Sequence, residues 1–313
     1  MESLPVGRED VERAARVIAG RLQRTPTLSC RTLGPHVYLK AELLQRTGSF
    51  KPRGVLTKLA SLTAEEKARG VIAASAGNHA AALAFGAALE GIDALVVMYQ
   101  GASEVKLRAA EAYGATIDLD ATGPGDVFER LDALQKETGR VLVHPFDDPL
   151  VIAGQGTVGL EILEDVPDVE RILVPCGGGG LFSGIAAAAE PVDVEVVPVE
   201  PENSRALHAA FEAGEATRVD ARSIADGLNA PFAGRLALAT AQALDVEPVL
   251  VTEDELAAGF RFLYQRAKLA CEPAGAAAVA ALLAGKVESG RTVCVVSGGN
   301  VAAHTAAGIL TGP

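Results

Sequence analysis

Lys51 is the first residue of the sequence whose type and setting could do chemistry. It lies in the segment Thr-Gly-Ser-Phe-Lys-Pro-Arg-Gly, residues 47–54. The proline that follows biases Lys51 towards an extended backbone and suits the first turn of a helix. We therefore expect Lys51 at a defined corner in front of a helix. There it could serve as a base or a nucleophile if it loses its proton, or it could simply be a solvated lysine beside a helix cap.

Three further segments each follow a predicted strand. Residues 75–79, Ser-Ala-Gly-Asn-His, form a small polar turn whose free N–H groups suit a carboxylate or a phosphate, although Ser75 or Asn78 could equally be an ordinary helix cap. The four glycines at 177–180 let the backbone approach an anion closely, which favours phosphate over a flexible loop. Residues 297–300, Ser-Gly-Gly-Asn, would place a serine in the crevice where α/β proteins bind ligands.

The glycine run does not match the common nucleotide-binding patterns. It lacks the lysine of a P-loop. Glu200, on the next predicted strand, lies at about the right distance for the ribose of a dinucleotide, but the glycine spacing differs from the dinucleotide fingerprint. A nicotinamide site therefore remains an alternative interpretation of the glycine run.

The elements that must position these segments alternate between short β-branched runs and alanine-rich stretches. This pattern predicts an α/β protein whose parallel sheets are covered by helices on both faces. The predicted strands cover residues 71–74, 94–98, 116–119, 141–143, 171–175, 194–199 and 292–296, and the predicted helices cover 80–89, 104–113, 127–137 and 181–189, with two more opening at 252 and 274. We predict two domains, the smaller formed by 61–147 and the larger by 1–60 together with 148–313.

Composition excludes several classes of protein. The 313 residues carry a formal charge of −12, so an anionic nucleic acid or membrane is not expected as a partner. Aromatic residues make up 4% with no Trp, which predicts an aliphatic, alanine-rich core. The four cysteines lack metal or redox spacing, and neither a signal peptide nor an apolar run of ~20 residues is present. We therefore expect a soluble cytoplasmic protein with reduced thiols.

The four segments, taken in order, resemble a known family. A lysine in Ser-Phe-Lys-x-Arg-Gly, then Ser-x-Gly-Asn-His, four glycines and Ser-Gly-Gly-Asn are similar to the pyridoxal-phosphate enzymes of fold type II, the tryptophan-synthase β fold, in the serine/threonine dehydratase and serine racemase branch. Residues 144–149, 151–157 and 272–276 support the resemblance, which covers nearly the whole chain. It implies pyridoxal 5'-phosphate bound in the cleft between two α/β domains.

The resemblance also implies roles for individual residues. Lys51 would hold the cofactor as a Schiff base and then act as the base at the substrate Cα, with Ser75 as the second catalytic residue. Phe50 would pack at the cofactor ring, Asn78 would bond its 3-hydroxyl, and Ser297 would meet the pyridine nitrogen. The phosphate would be cradled by Gly177, Gly178, Gly179, Gly180 and Leu181, and the substrate carboxylate would be received at Ser75, Ala76, Gly77 and Asn78.

The activity implied is α,β-elimination from small L-β-hydroxy amino acids, such as L-threonine and L-serine, to a 2-oxo acid and ammonia. The similar racemases carry a second serine at the position where this chain has Ala76. Phe146 is similar to the residue that the dehydratases, rather than the racemases, have at this position. Racemisation is therefore disfavoured. A 3-hydroxyaspartate dehydratase and a serine racemase stay as alternatives. A nicotinamide oxidoreductase and a non-catalytic amino-acid-binding protein are more remote ones.

Four further expectations follow from the resemblance. Glu200 matches the glutamate ligand of the family's divalent-cation site, but Ala206 stands where the racemases have an aspartate, so we predict no metal site. We expect His79 to be structural. The resemblance also suggests a homodimer or higher homo-oligomer, and the short stretch after Asn300 predicts that no amino-acid-sensing domain follows.

Overall fold

The computed structural model describes residues 4–75, 77–101, 104–123, 126–288 and 290–312. These residues form two β-sheets flanked by helices. The strands are β1 (Thr27–Ser29), β2 (Val37–Lys40), β3 (Val71–Ala74), β4 (Ala94–Tyr99), β5 (Thr116–Ala121), β6 (Val141–Leu142), β7 (Arg171–Pro175), β8 (Glu195–Pro201), β9 (Val249–Val251) and β10 (Thr292–Val295).

The helices lie mostly between the strands, as the alternating pattern predicts. They are α1 (Arg8–Ile18), α2 (Pro52–Ala60), α3 (Ala64–Arg69), α4 (Asn78–Glu90), α5 (Glu104–Ala112), α6 (Val127–Thr138), α7 (Pro149–Asp165), α8 (Gly180–Ala189), α9 (Ala206–Ala213), α10 (Arg235–Leu244), α11 (Glu253–Phe262), α12 (Pro273–Leu283) and α13 (Ala303–Thr311). Short 3-10 turns occupy Glu42–Leu44, Arg46–Gly48 and Asp226–Leu228, and a π-helical turn occupies Leu263–Ala267.

Two mostly parallel sheets organise the chain. The larger has the strand order β1-β2-β10-β7-β8-β9, in which the β1–β2 pair is antiparallel and the other pairs are parallel. The smaller has the order β5-β4-β3-β6 and is parallel throughout. The predicted fold class is confirmed. The strands of the smaller sheet are consecutive in the sequence, consistent with an inserted unit, while the domain limits at 61 and 147 stay a prediction.

The core is aliphatic and rich in alanine, as the composition predicts. In α12 every residue from Pro273 to Ala281 is buried, and α8 is buried over its whole length. Small side chains allow helices to pack close to the sheets and to each other without bulky interdigitation. Across the described part of the chain, no helix is long and apolar enough to cross a bilayer.

Candidate active site

Three of the chemically suggestive segments begin where parallel strands end. The glycine run follows β7 and Ser297 follows β10, and these two strands are hydrogen-bonded neighbours in the larger sheet. Ser75 follows β3 of the smaller sheet. Because parallel strands present their carboxyl ends at one edge, the first two segments are brought side by side. The third reaches them through side-chain contacts between the two sheets.

Lys51 is tied to the end of β10 by the residues just before it. Ser49 forms an isolated antiparallel bridge with Gly298, and the Phe50 N–H donates to the Ser297 carbonyl over 3.2 Å. The expectation of an extended backbone at Lys51 is wrong, since its φ of −53° and ψ of −36° are helical. The Arg53 N–H donates to the Phe50 carbonyl, and this turn draws Lys51 into the start of α2 despite the following proline.

The Lys51 ammonium group lies in a confined, half-buried setting. Its Nζ donates to the Pro145 carbonyl over 2.9 Å and lies 5.0 Å from the centroid of the Phe50 ring. Burial lowers the pKa of Lys51 from 10.5 to about 8, and the negative charge of Glu272 opposes that shift. A substantial fraction of Lys51 is therefore neutral near physiological pH, which a nucleophile or base requires.

A chain of hydrogen bonds joins the two sheets beside Lys51. The Asn300 Nδ2 donates to the Thr47 carbonyl over 2.7 Å and to the Asn78 Oδ1 over 2.9 Å. The Asn78 Nδ2 in turn donates to the Glu272 Oε1 over 2.6 Å. Asn78 begins α4 and Glu272 immediately precedes α12. These hydrogen bonds thus connect the lysine segment, the Asn-His turn and the Ser-Gly-Gly-Asn turn.

The turn after β3 leads directly into the N-terminus of α4. Gly77 is the residue preceding that helix, and its N–H donates to the Ser75 Oγ over 3.1 Å. The alternative that Asn78 is a simple helix cap is wrong, because its side chain is engaged with Glu272 and Asn300 instead. Ala76 lies outside the described residues.

The glycine run packs against the segment that contacts Lys51. Phe146, next to Pro145, lies so close that a Cβ at Gly178 would be 2.3 Å from its ring, and one at Gly180 would be 2.8 Å from its carbonyl oxygen. Gly179 has a φ of +88° and faces Ala237. A loop with side chains could not occupy this position.

The glycine run also offers free donors. None of the hydrogen bonds found among the described residues uses the backbone N–H groups of Gly178, Gly179, Gly180 or Leu181. They gather at the N-terminus of α8, where the helix dipole favours an anion. The arrangement suits a phosphate group.

Replacing Gly178 by alanine tests the requirement for glycine in this loop. The added Cβ would displace the Phe146 ring or the loop, so we expect about 1–3 kcal/mol of lost stability and at least tenfold weaker retention of a bound phosphate ligand. Urea denaturation measures the loss of stability, and dialysis measures the retention of the ligand. The matched control is Gly308→Ala in α13, where nothing lies within 4 Å of the added Cβ. Equal behaviour of the two variants would contradict the expectation.

The remaining predicted cofactor residues border the same region. Ser297 is buried at the end of β10, and its carbonyl accepts from the Phe50 N–H. Phe50 is partly buried against the core of the larger sheet. Leu181 is buried in the first turn of α8, directly after the glycine run. The structure therefore brings together Lys51 and the ends of β7, β10 and β3.

His79 is held as a neutral side chain. Its Nε2 bonds the Val143 carbonyl over 2.8 Å, and because a carbonyl only accepts, Nε2 must carry the proton. Burial, followed by the charge of Lys51, lowers the pKa of His79 to about 3. His144 accepts the Asp147 N–H at its Nδ1 over 2.8 Å and so shapes the turn that carries Pro145. These contacts are consistent with the predicted structural role of His79.

Glu200 uses both carboxylate oxygens within the protein. Oε1 accepts the Leu207 N–H and Oε2 accepts the His208 N–H, each over 2.8 Å, at the start of α9. Burial raises the pKa of Glu200 to about 8, against the effect of these bonds. No group of three or more His, Cys, Asp or Glu side chains suited to a metal occurs in the part of the chain that the structure describes.

Sequence reasoning did not assign roles to Glu272 and Asn300, although both lie in motifs it quoted. Glu272 is 1% exposed, and its Oε2 has no hydrogen-bond partner among the described residues. An acidic residue directly before a proline-led helix reads as an ordinary cap in sequence. Long-range contacts place Glu272 at the site: its side chain accepts from Asn78, 194 positions away, and its backbone N–H donates to the Gly298 carbonyl.

Glu272 should make the stability of the cofactor-free protein depend on pH. Burial raises its pKa from 4.5 to about 7; Asp226 reinforces the shift, while Lys106, Asn78 and Lys51 oppose it. The folded protein then holds this proton more tightly than the unfolded chain, so the associated stability is present below pH 4.5 and is lost as pH rises through 7. Its size is about 3 kcal/mol.

The Glu272→Gln variant should lack this contribution. Urea denaturation of the cofactor-free protein at about pH 4.5, 6 and 7.5, which cover the interval between the two pKa values, measures it. We expect the wild-type free energy of unfolding to fall relative to that of Glu272→Gln across this interval. Parallel curves for the two proteins would show that Glu272 titrates normally in the fold.

Comparisons with known proteins show the family. The family model for pyridoxal-phosphate dependent enzymes matches residues 18–298. The catabolic L-threonine dehydratase of Escherichia coli (strain K12) is 42% identical over 310 residues, covering 95% of this chain and 94% of the relative. Maize serine racemase superposes with a TM-score of 0.90 at 34% identity, over 96% of this chain and 95% of the other. A threonine deaminase from T.th. gives a TM-score of 0.88 at 39% identity, over 95% of this chain and 99% of the other.

The chain belongs to the family of pyridoxal-phosphate-dependent enzymes. Within that family it has the type II fold and is a lyase, like the relatives named threonine dehydratase and threonine deaminase. The predictions of family, fold, cofactor and enzyme class are therefore confirmed.

Proposed function

We propose that this protein converts small L-β-hydroxy amino acids, L-threonine and L-serine first, to the 2-oxo acid and ammonia. The observation that carries the proposal is the position of Lys51, a lysine with a pKa of about 8. Its segment is bonded to the turn after β10, the neighbour of β7, and through Asn300 to the start of α4, which follows β3. The names of the relatives, threonine dehydratase and threonine deaminase, support the substrate class.

The residues present fit pyridoxal phosphate. The backbone N–H groups of Gly178, Gly179, Gly180 and Leu181 are free of hydrogen bonds among the described residues and would hold the phosphate. The Lys51 Nζ would hold the cofactor covalently. Asn78 would bond the ring 3-oxygen, Ser297 would meet the ring nitrogen and Phe50 would pack at the ring. Bound in this way, the cofactor supplies a sink for the electron pair left when the substrate loses its Cα proton.

The chain's own residues then bind the substrate and move its proton. The Ser75 hydroxyl and the N–H groups of Gly77 and Asn78, with the neighbouring Ala76, would receive the substrate carboxylate. The Lys51 Nζ, freed as a neutral amine, would take the proton from Cα. Burial makes this transfer possible, because an ordinary lysine stays protonated near pH 7.

A substrate panel tests the proposal. Release of 2-oxo acid is measured with L-threonine, L-serine, their D-isomers and L-3-hydroxyaspartate. Because one methyl group in a pocket is worth only ~1–3 kcal/mol, we expect the kcat/KM values for L-threonine and L-serine to differ by no more than about 200-fold. Absence of 2-oxo acid from every compound would overturn the proposal.

Two alternatives are resolved by the same panel. The similarity to maize serine racemase keeps racemisation as the second candidate, and faster formation of D-serine than of pyruvate from L-serine would establish it. Preference for L-3-hydroxyaspartate would establish the other alternative, a 3-hydroxyaspartate dehydratase. Membership of the pyridoxal-phosphate family disfavours the nicotinamide oxidoreductase, and the lyase relatives disfavour a non-catalytic binding protein.

We further propose that magnesium has little effect on activity, that the protein works in the cytoplasm, and that it is a homo-oligomer. The backbone bonds that occupy both oxygens of Glu200 support the first point. The cysteines at 30, 176, 271 and 294 are buried and free, as thiols are in a reducing compartment. The family resemblance supports the third point, which sedimentation velocity tests.

A further inference from the structure

We propose that Glu272 is a positioning residue that fixes the side-chain amide of Asn78. One of the two Nδ2 hydrogens of Asn78 then remains free to donate to the 3-oxygen of the cofactor. This inference rests on the proposed function of the site. It adds a residue that acts through Asn78 rather than on the substrate.

The orientation of the two amides follows from their partners. The Thr47 carbonyl can only accept, so the Asn300 group facing it must be the NH₂. The same NH₂ donates to Asn78, which places the Asn78 oxygen on that side. The Asn78 NH₂ must then face Glu272. The hydrogen-bond chain therefore has one direction, beginning at a backbone carbonyl and ending at a carboxylate.

This direction decides what Asn78 can offer to a ligand. Its oxygen is taken by Asn300, and one of the two Nδ2 hydrogens is taken by Glu272. The second Nδ2 hydrogen remains as a donor, and a donor is what an anionic ring oxygen needs. Glu272 is also the closer of the two partners, at 2.6 Å against 2.9 Å for Asn300.

The surroundings of Glu272 are shaped for this contact. A Cβ at Gly298 would be 2.3 Å from the Glu272 Oε1 and 3.1 Å from the Asn78 Nδ2, so glycine at 298 leaves room for the pair. A Cβ at Gly48 would be 2.5 Å from the Asn300 Oδ1. Glu272 also keeps one buried oxygen without a described partner, which costs stability. Retaining such a group is explained by a positioning role rather than by stability.

A double-mutant cycle tests the proposal. The dissociation constant of pyridoxal phosphate is measured by titrating cofactor-free protein and following visible absorbance. We expect Glu272→Ala and Asn78→Ala each to weaken binding about tenfold. Because Glu272 acts through Asn78, the double variant should be no more than about twofold weaker than Asn78→Ala alone.

Three further variants make the cycle specific. Glu272→Gln offers the same acceptor oxygen and should bind within about threefold of wild type. Gly298→Ala inserts a methyl group at the Asn78–Glu272 contact and should mimic Glu272→Ala without removing the carboxylate. Glu255→Ala removes a capping glutamate at the start of α11, which packs against α12, and should leave both the dissociation constant and the absorption maximum of the bound cofactor unchanged.

The absorption maximum is the readout that a merely structural role would not move. We expect Glu272→Ala and Asn78→Ala to shift it by the same amount. Additive losses in the double variant, of about 100-fold, would overturn the positioning role and leave the proposed function intact. A wild-type protein that binds no pyridoxal phosphate would overturn both.

Discussion

Replacing Lys51 by alanine should lower kcat for 2-oxo acid formation by about 10⁴-fold. The variant loses the amine that takes the Cα proton and the point of covalent attachment of the cofactor. It should therefore leave a desalting column colourless after incubation with pyridoxal phosphate. Borohydride should fix the cofactor to the peptide that contains residue 51 in the wild-type protein alone.

Lys58 supplies the matched control for this experiment. It lies on α2, the same helix that begins after Lys51, and its Nζ pairs with Asp148 over 2.7 Å near the surface. We expect Lys58→Ala to keep its colour and most of its activity. Undiminished activity in a colourless Lys51→Ala protein would contradict the assigned role of Lys51.

The second large effect is expected at Arg53, which anchors the helix that follows Lys51. The side chain is 1% exposed, and its guanidinium group donates twice to Glu42 and twice to Glu161 over 2.7–3.0 Å, with a further bond to Thr157. The Lys40 Nζ contacts Glu161 over 2.7 Å and completes the buried cluster. The paired carboxylates raise the already high pKa of Arg53, which stays charged.

We expect Arg53→Met to lower the free energy of unfolding by about 3–5 kcal/mol, because it leaves buried carboxylates without their main partner. Urea denaturation of the cofactor-free protein measures the loss. Arg53→Lys keeps the charge but lacks the planar group that donates two parallel hydrogen bonds. It should therefore recover only part of the lost free energy of unfolding. The kcat of the variant protein that remains folded would also report any displacement of the Lys51 side chain.

An exposed arginine provides the comparison for Arg53. Arg222 pairs with Asp220 over 2.9 Å on the surface, where an ion pair contributes about 0–1 kcal/mol. Arg222→Met should therefore change stability by no more than that amount. A loss at Arg53 as small as the loss at Arg222 would show that the buried cluster does not hold α2.

Much of the site could be predicted because its parts are local patterns in the sequence. The glycine run, the Ser-x-Gly-Asn-His turn and Ser297 each follow a strand, and the parallel strands of each sheet present such turns at the carboxyl edge of that sheet. The bounds of the strands and helices that the sequence predicted agreed with the structure within a few residues, as for β7 at Arg171–Pro175, whereas β1, β2 and β9 were not predicted. The backbone of Lys51 was predicted wrongly, because a local rule about proline was outweighed by the turn that bonds Phe50 to Arg53.

The sequence by itself determined the fold class and the order of the motifs, because hydrophobic periodicity and turn residues act over short stretches of chain. Lys51 was singled out by the resemblance of those motifs to a known family. Only the tertiary structure decided which distant groups surround that lysine. Glu272 and Asn300 meet Asn78 across 194 and 222 positions, and Pro145 meets Lys51 across 94. Such contacts depend on how two sheets dock, and burial there, rather than residue type, lowers the pKa of Lys51 and raises that of Glu272.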